Sequence, residues 1–289
     1  MGQKEFSLFK LMATYDKRWI YLLLFIIVLG PMVQPIGMPI SVSALTRNYY
    51  EKIMRLKAGD IVLDCWSTEW SGYMELKPGF LAAHKMFIQK GVKLAIALGH
   101  PEGIALARTV FDEELKSFME KYNYKYGKDY INLGFVFPNV AATIAAVSDF
   151  QAAVKVDWMG NTIKGTFLDR VRTGADINMI ADFTTGAGNP GLVDHIVLRF
   201  GTLMISHAIG VMMPGVLANL DAGLYVAALS STRGGAELEY LIKEPGPGLI
   251  MMDAFSLGHY LLIVFIIIGN IGYFGWTSRT RERERTTVR

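Results

Sequence analysis

The sequence predicts an α/β chain: a doubly wound, mostly parallel, Rossmann-like sheet of about six strands, flanked by two transmembrane helices. Three observations carry this. Apolar runs without charge lie near both ends. Between them, short continuous apolar runs recur. Helical patterns separate those runs. Strands buried on both faces read as continuous runs rather than alternating ones, because helices cover a parallel sheet on both sides.

The first 18 residues form a basic tail holding Lys4, Lys10, Lys17 and Arg18. Residues 19–44 are read as an uncleaved membrane helix with a proline-rich exit. WIYLLLFIIVLG gives way to Pro31, Pro35 and Pro39, each of which removes a backbone donor and disfavours helix in the residue before it. Regular helix is expected to about Gly30. A cleaved leader is the competing reading, but Val42-Ser43-Ala44 lies well past the apolar run, beyond three prolines.

Residues 45–250 are expected to form the α/β domain. The strands are placed at 60–66, 92–99, 129–135, 177–185, 202–209 and 223–230. Helices are placed at 78–90, 103–126, 140–151, 191–200 and 234–243, with Pro78 and Pro190 at first helical positions. EPGPG (244–248) reads as a hinge. A second membrane helix follows at 254–276, uncharged throughout, and an arginine-rich tail at 277–289. Five arginines after that helix place the C-terminus in the cytoplasm by the positive-inside rule. With two passes, both termini are then cytoplasmic and the α/β domain is extracytoplasmic. Arg47, Lys52, Arg55 and Lys57 after the first helix speak against this. Asn270, with Gly269 and Gly272, marks an expected helix–helix contact, since small residues let helices approach and an intramembrane amide seeks a partner.

Hydrophobic residues make up 52% of the chain and charged residues 19%, which excludes a disordered chain. The single cysteine, Cys65, excludes an intramolecular disulfide. The tails hold nine basic against four acidic residues, a sum of +5, so the net charge of +3 leaves the middle at −2, which argues against nucleic-acid binding by the domain.

In open α/β sheets, ligands bind beyond the carboxyl ends of the strands. The ligand-binding candidates there are Thr184, Thr185, Gly186, Gly188, Asn189, Ser231 and Arg233. GAGNPG (186–191) matches the dinucleotide spacing, but it follows the fourth strand and has no acid about 20 residues on. Ser231 opens a helix-cap pattern, with Arg233 at the same mouth. Ser231, His207 and Glu69 would supply the residue types of a hydrolase, yet the chain holds no G-x-S-x-G elbow. His100, Glu102 and Glu69 would supply metal ligands without a zinc-type spacing. Cys65 lies inside an apolar strand and reads as core. The sequence therefore assigns no catalytic residue, no metal and no cofactor.

NYYEKIMRLKAGDIVLD, YGKDYINLGF (126–135) and the Arg233-Gly234-Gly235-Ala236-Glu237 turn lie between the two apolar segments. In this, the chain resembles a family of uncharacterised prokaryotic membrane-anchored α/β proteins with a transmembrane helix at each end. The resemblance implies the architecture and a prokaryotic source, and no catalytic residues. FPNVAATIAAV stands where that family has a glycine-rich turn, which weakens a shared anion site at Asn139. The leading expectation is a non-catalytic scaffold or subunit of a membrane protein assembly. Its partners would be the lipid bilayer and other membrane subunits or a second copy, with no nucleic acid. The alternatives are a small-anion binding or sensory module at the strand ends, and a membrane-anchored hydrolase.

Overall fold

The computed structural model describes Leu11, Met12, Thr14, residues 16–186, Gly188 and residues 191–287, with side chains as far as Ser278. Two compact units divide the chain: Pro39–Leu249, and the two ends, Met1–Met38 with Ile250–Arg289.

The Pro39–Leu249 unit is built on a six-stranded, all-parallel sheet: β1 (Ile61–Ser67), β2 (Lys93–Leu98), β3 (Tyr130–Asn132), β4 (Met179–Thr184), β5 (Leu203–Ala208) and β6 (Ala227–Ser230). The order is β3-β2-β1-β4-β5-β6, so the winding reverses between β1 and β4. Five of the six strands fall within the runs that the sequence marks, and β1 extends one residue past its run, to Ser67. β1 and β4 are buried at every position, and each has one acid inside its apolar run, Asp64 and Asp182.

Along β1, Val62 and Trp66 face one core and Ile61, Leu63 and Cys65 face the other. The first core is covered by α2 (Ala44–Met54), α3 (Trp70–Lys90), α5 (Lys116–Tyr122) and α8 (Ser231–Ile242); α4 (Gly103–Arg108) runs into a π-helical turn, Thr109–Glu114, on the same side. The second is covered by α6 (Val140–Ser148), a short helix at Phe150–Ala153, and the segment Val193–Phe200, which opens with a π-helical turn. α7 (Met213–Asp221) packs on β5 and β6 through Met213 and Val216.

Local chemistry explains the element ends. The Ser43 side chain caps α2 by accepting from Thr46 N–H, and Asn139 caps α6 by accepting from Ala142 N–H. Gly91, in left-handed conformation, ends α3. Four expectations need correction, and one lies outside the described residues. α3 begins at Trp70, so Pro78 lies inside the helix and not at its start. Pro190 falls outside the described residues. α2 and α7 occupy stretches given no helix from sequence. The Arg233–Glu237 stretch is the body of α8, whose first residue Ser231 takes a φ of 49°, and not a turn.

The reason for the paired glycines in α8 is a helix crossing. A Cβ on Gly235 would overlap the backbone nitrogen of Gly79 in α3 and fall 2.7 Å from Pro78 Cβ. The two helices therefore meet backbone to backbone, where only glycine fits. The 244–248 stretch is held as well: Glu239 accepts from Gly248 N–H (3.0 Å) and Leu249 N–H (2.9 Å).

In the other unit, α1 (Lys17–Val33) is followed by an extended exit; α9 (Pro247–Thr287), most of which belongs to this unit, is a single helix of 41 residues. Only α9, over Pro247–Ser278, is long and apolar enough among the described residues to cross a membrane. This corrects the expected pair of spans. α1 has 17 residues, which at 1.5 Å each reach about 25 Å against a hydrocarbon core of about 30 Å. It stops where the Pro35 ring ends helical continuation, one turn past Gly30. The Asp253 carboxylate of α9 is buried and accepts three successive amides of the α1 exit, Ile36, Gly37 and Met38, at 2.8–2.9 Å.

Candidate functional site

The reversal between β1 and β4 puts the crevice expected of a doubly wound fold at residues 67–69, 184–186 and Gly188. Thr68 Oγ1 donates to Phe183 O at 2.8 Å, and Thr185 Oγ1 accepts from Glu69 N–H at 3.1 Å. Thr184 Oγ1 both accepts from and donates to the Gly186 backbone. A Cβ on Gly72, in the first turn of α3, would overlap Thr185 Cγ2. A dinucleotide fold leaves this place for pyrophosphate; here a threonine methyl fills it.

Beneath the glycine loop lies Asp182. An added Cβ on Gly188 would stand 3.8 Å from Asp182 Oδ2. Ser206 Oγ donates to that oxygen across 3.4 Å, a long bond, and Oδ1 has no hydrogen-bond partner among the described residues. Burial pushes this carboxyl up to about 7. An anion seated on Gly186 and Gly188 would therefore sit over an acid. Asn189 lies outside the described residues.

Glu75, unflagged by sequence, governs the mouth of β5 and β6. Its Oε1 accepts from Gly210 N–H at 2.7 Å and from the Ser231 hydroxyl at 2.6 Å. Arg233 is two residues further on, 66% exposed, with its Nε 3.1 Å from Glu237 Oε1. Glu237 is itself enclosed by Ser43 N–H, the Ser43 and Thr46 hydroxyls and Arg233. Burial pushes this carboxyl up, but those bonds outweigh it and hold it below the ordinary range. It ties the cap of α2 to α8.

The structure does not assemble the hydrolase trio. His207 is fully buried between two carbonyl oxygens, Leu229 O at 3.0 Å and Leu76 O at 2.9 Å. Burial lowers its pKa, and those carbonyls pull the other way without reversing the direction. Ser231 bonds to Glu75, and Glu69 stands 3.9 Å from His100. Glu102 accepts from Trp70 N–H at 3.2 Å. Among the described residues no three His, Cys, Asp or Glu side chains cluster as metal ligands. Cys65 is buried, and burial raises its thiol well above the ordinary value.

On the opposite face of β1, Asp64 Oδ2 is 2.8 Å from His84 Nε2, both fully buried. His84 Nδ1 faces Phe80 O at 2.8 Å, so Nδ1 carries a hydrogen and a single further proton lies between Nε2 and the carboxyl. Phe80 stacks on the imidazole at 4.3 Å.

In α9, Asn270 Nδ2 donates to Ile266 O of its own helix at 2.9 Å, Gly269 has open space beside it, and Gly272 is buried. No family model matches the chain, and no curated protein or solved structure shows significant similarity to it.

Proposed function

We propose that the chain is a non-catalytic, membrane-anchored subunit or scaffold. The observation that carries this is the contrast between its two kinds of surface. The polar groups at the strand ends are engaged within the chain: Thr184 and Thr185 by backbone, Ser231 by Glu75, Arg233 by Glu237. α9 instead exposes Leu262, Ile263, Ile266, Ile267, Tyr273 and Phe274, apolar side chains suited to lipid or a second helix. The anion-binding alternative is opposed by Asp182 and Glu75, and the hydrolase alternative by the separation of Ser231, His207 and Glu69.

In this reading α9 spans the bilayer once. The arginine-rich tail after Trp276 lies in the cytoplasm, and Pro39–Leu249 lies outside. The partners are lipid and either other membrane subunits or a second copy, contacted along the Asn270 face of α9.

Native mass measurement in mild detergent tests this. The expected result is an assembly heavier than one 32.1 kDa chain, loosened by Asn270→Leu while the domain stays folded. A lone chain in both the wild type and the variant would overturn the scaffold reading.

A further inference from the structure

A cleft of about 200 Å³ lies at the edge of the sheet, apart from the strand-end crevice, between the π-helical turn, the end of β3 and the loop at Trp158. π-helical turns are rare and concentrate at functional sites. Here the turn delivers Phe111 and Asp112 to the cleft, and the residue before it is Arg108. Phe111 and Tyr130 stack at 4.5 Å to form an aromatic wall. Asn132, 5% exposed, lies at the base; its carboxamide oxygen accepts from Gly134 N–H at 2.8 Å, and its NH₂ has no hydrogen bond among the described residues.

Two opposite charges stand at the mouth. Arg108 and Asp112 are four residues apart, both exposed, and neither forms an ion pair with the other or with any described residue. The Arg108 guanidinium instead lies over the Trp158 ring, 4.9 Å from its centroid. A simple anion at this mouth would meet Asp112, and a simple cation would meet Arg108. A ligand with both charges close together satisfies both. The volume is below that of a drug-sized site and far below a dinucleotide.

We propose that this cleft binds a small zwitterion of the α-amino acid class with an apolar side chain. Its carboxylate is held by Arg108 and the Asn132 amide, its ammonium by Asp112, and its side chain by Phe111 and Trp158. Charge-assisted hydrogen bonds to carboxylate and ammonium supply the selectivity, and the aromatic wall supplies contact area.

Calorimetric titration of the full chain in detergent micelles tests the proposal with L-phenylalanine and L-leucine, and with 3-phenylpropionate and phenethylamine, which lack the ammonium and the carboxylate respectively. Saturable binding of at least one amino acid is expected, with the matching single-charge probes weaker by about tenfold or more. Arg108→Gln is expected to weaken amino-acid binding about tenfold and to spare phenethylamine; Asp112→Asn is expected to do the converse. Both positions are exposed, and an unchanged melting temperature confirms that each variant folds. Absence of binding by both amino acids up to tens of millimolar, or affinities that neither variant changes, would overturn the proposal.

Discussion

Asp182 makes the stability of the domain depend on pH. Burial raises its folded-state pKa to about 7, so the folded chain holds this proton more tightly than the unfolded chain does. The contribution is full below the ordinary carboxylate value and is lost as pH rises through about 7, a change on the order of 4 kcal/mol. Glu237, held below its ordinary value, titrates on the acid side of that window. Asp182→Asn removes the titration. Its stability relative to the wild type is expected to be higher at pH 8 than at pH 5, as read from urea unfolding; a difference that does not vary with pH would contradict a buried neutral carboxyl. Asp64 and Asp182 are acids inside the apolar strands β1 and β4, a placement that demands a partner or a shifted proton, yet neither is among the sequence-based candidates. Glu75 was not legible either, because its acceptor role depends on Gly210 and Ser231, 135 and 156 residues away. The same holds for Thr185, whose methyl closes the crevice only because α3 starts eight residues earlier than Pro78 suggested.

At the scale of elements, the six strands were legible because both-face burial leaves a plain signature, an unbroken apolar run between turn residues. Helices were less so. α2 mixes Arg47, Asn48, Glu51 and Lys52 with the Thr46, Tyr49 and Ile53 that it buries, and a proline at the ninth position of α3 imitates a helix start. The crossing of α3 and α8 was hidden as well, since paired glycines read as a turn until the facing backbone is known. Gly235→Ala is expected to destabilise the domain by about 3 kcal/mol, the upper range for forcing atoms into a packed contact. Gly215→Ala in α7 is the control: nothing lies within 4 Å of that position, so the substitution is expected to be neutral or to stabilise by about 0.5–1 kcal/mol. Equal effects of the two in thermal unfolding would show that the crossing tolerates a side chain.

At the scale of the whole molecule, the proposed topology is open to direct measurement. The single native thiol is buried, so introduced cysteines report without background. Ser278→Cys and Lys164→Cys, both exposed positions, are expected to respond oppositely to an impermeant thiol reagent on intact cells. Labelling at 164 and not at 278 supports an outer domain with a cytoplasmic C-terminus. The reverse pattern would put the domain inside.

The strand order also governs how the sheet can be assembled as the chain is synthesised. β1 borders β2, which follows at once, and β4, which comes only after a long intervening stretch. At about 5–20 residues per second, roughly 3–10 s pass between the emergence of Asn132 and that of Thr184. Throughout that interval the half-sheet of β3, β2 and β1 presents β1 as an uncovered edge, a strand buried at every position in the finished sheet, with Asp64 as its only charge. Unpaired apolar edges recruit other chains. The period of greatest aggregation hazard therefore falls in the middle of synthesis, between the third strand and the fourth.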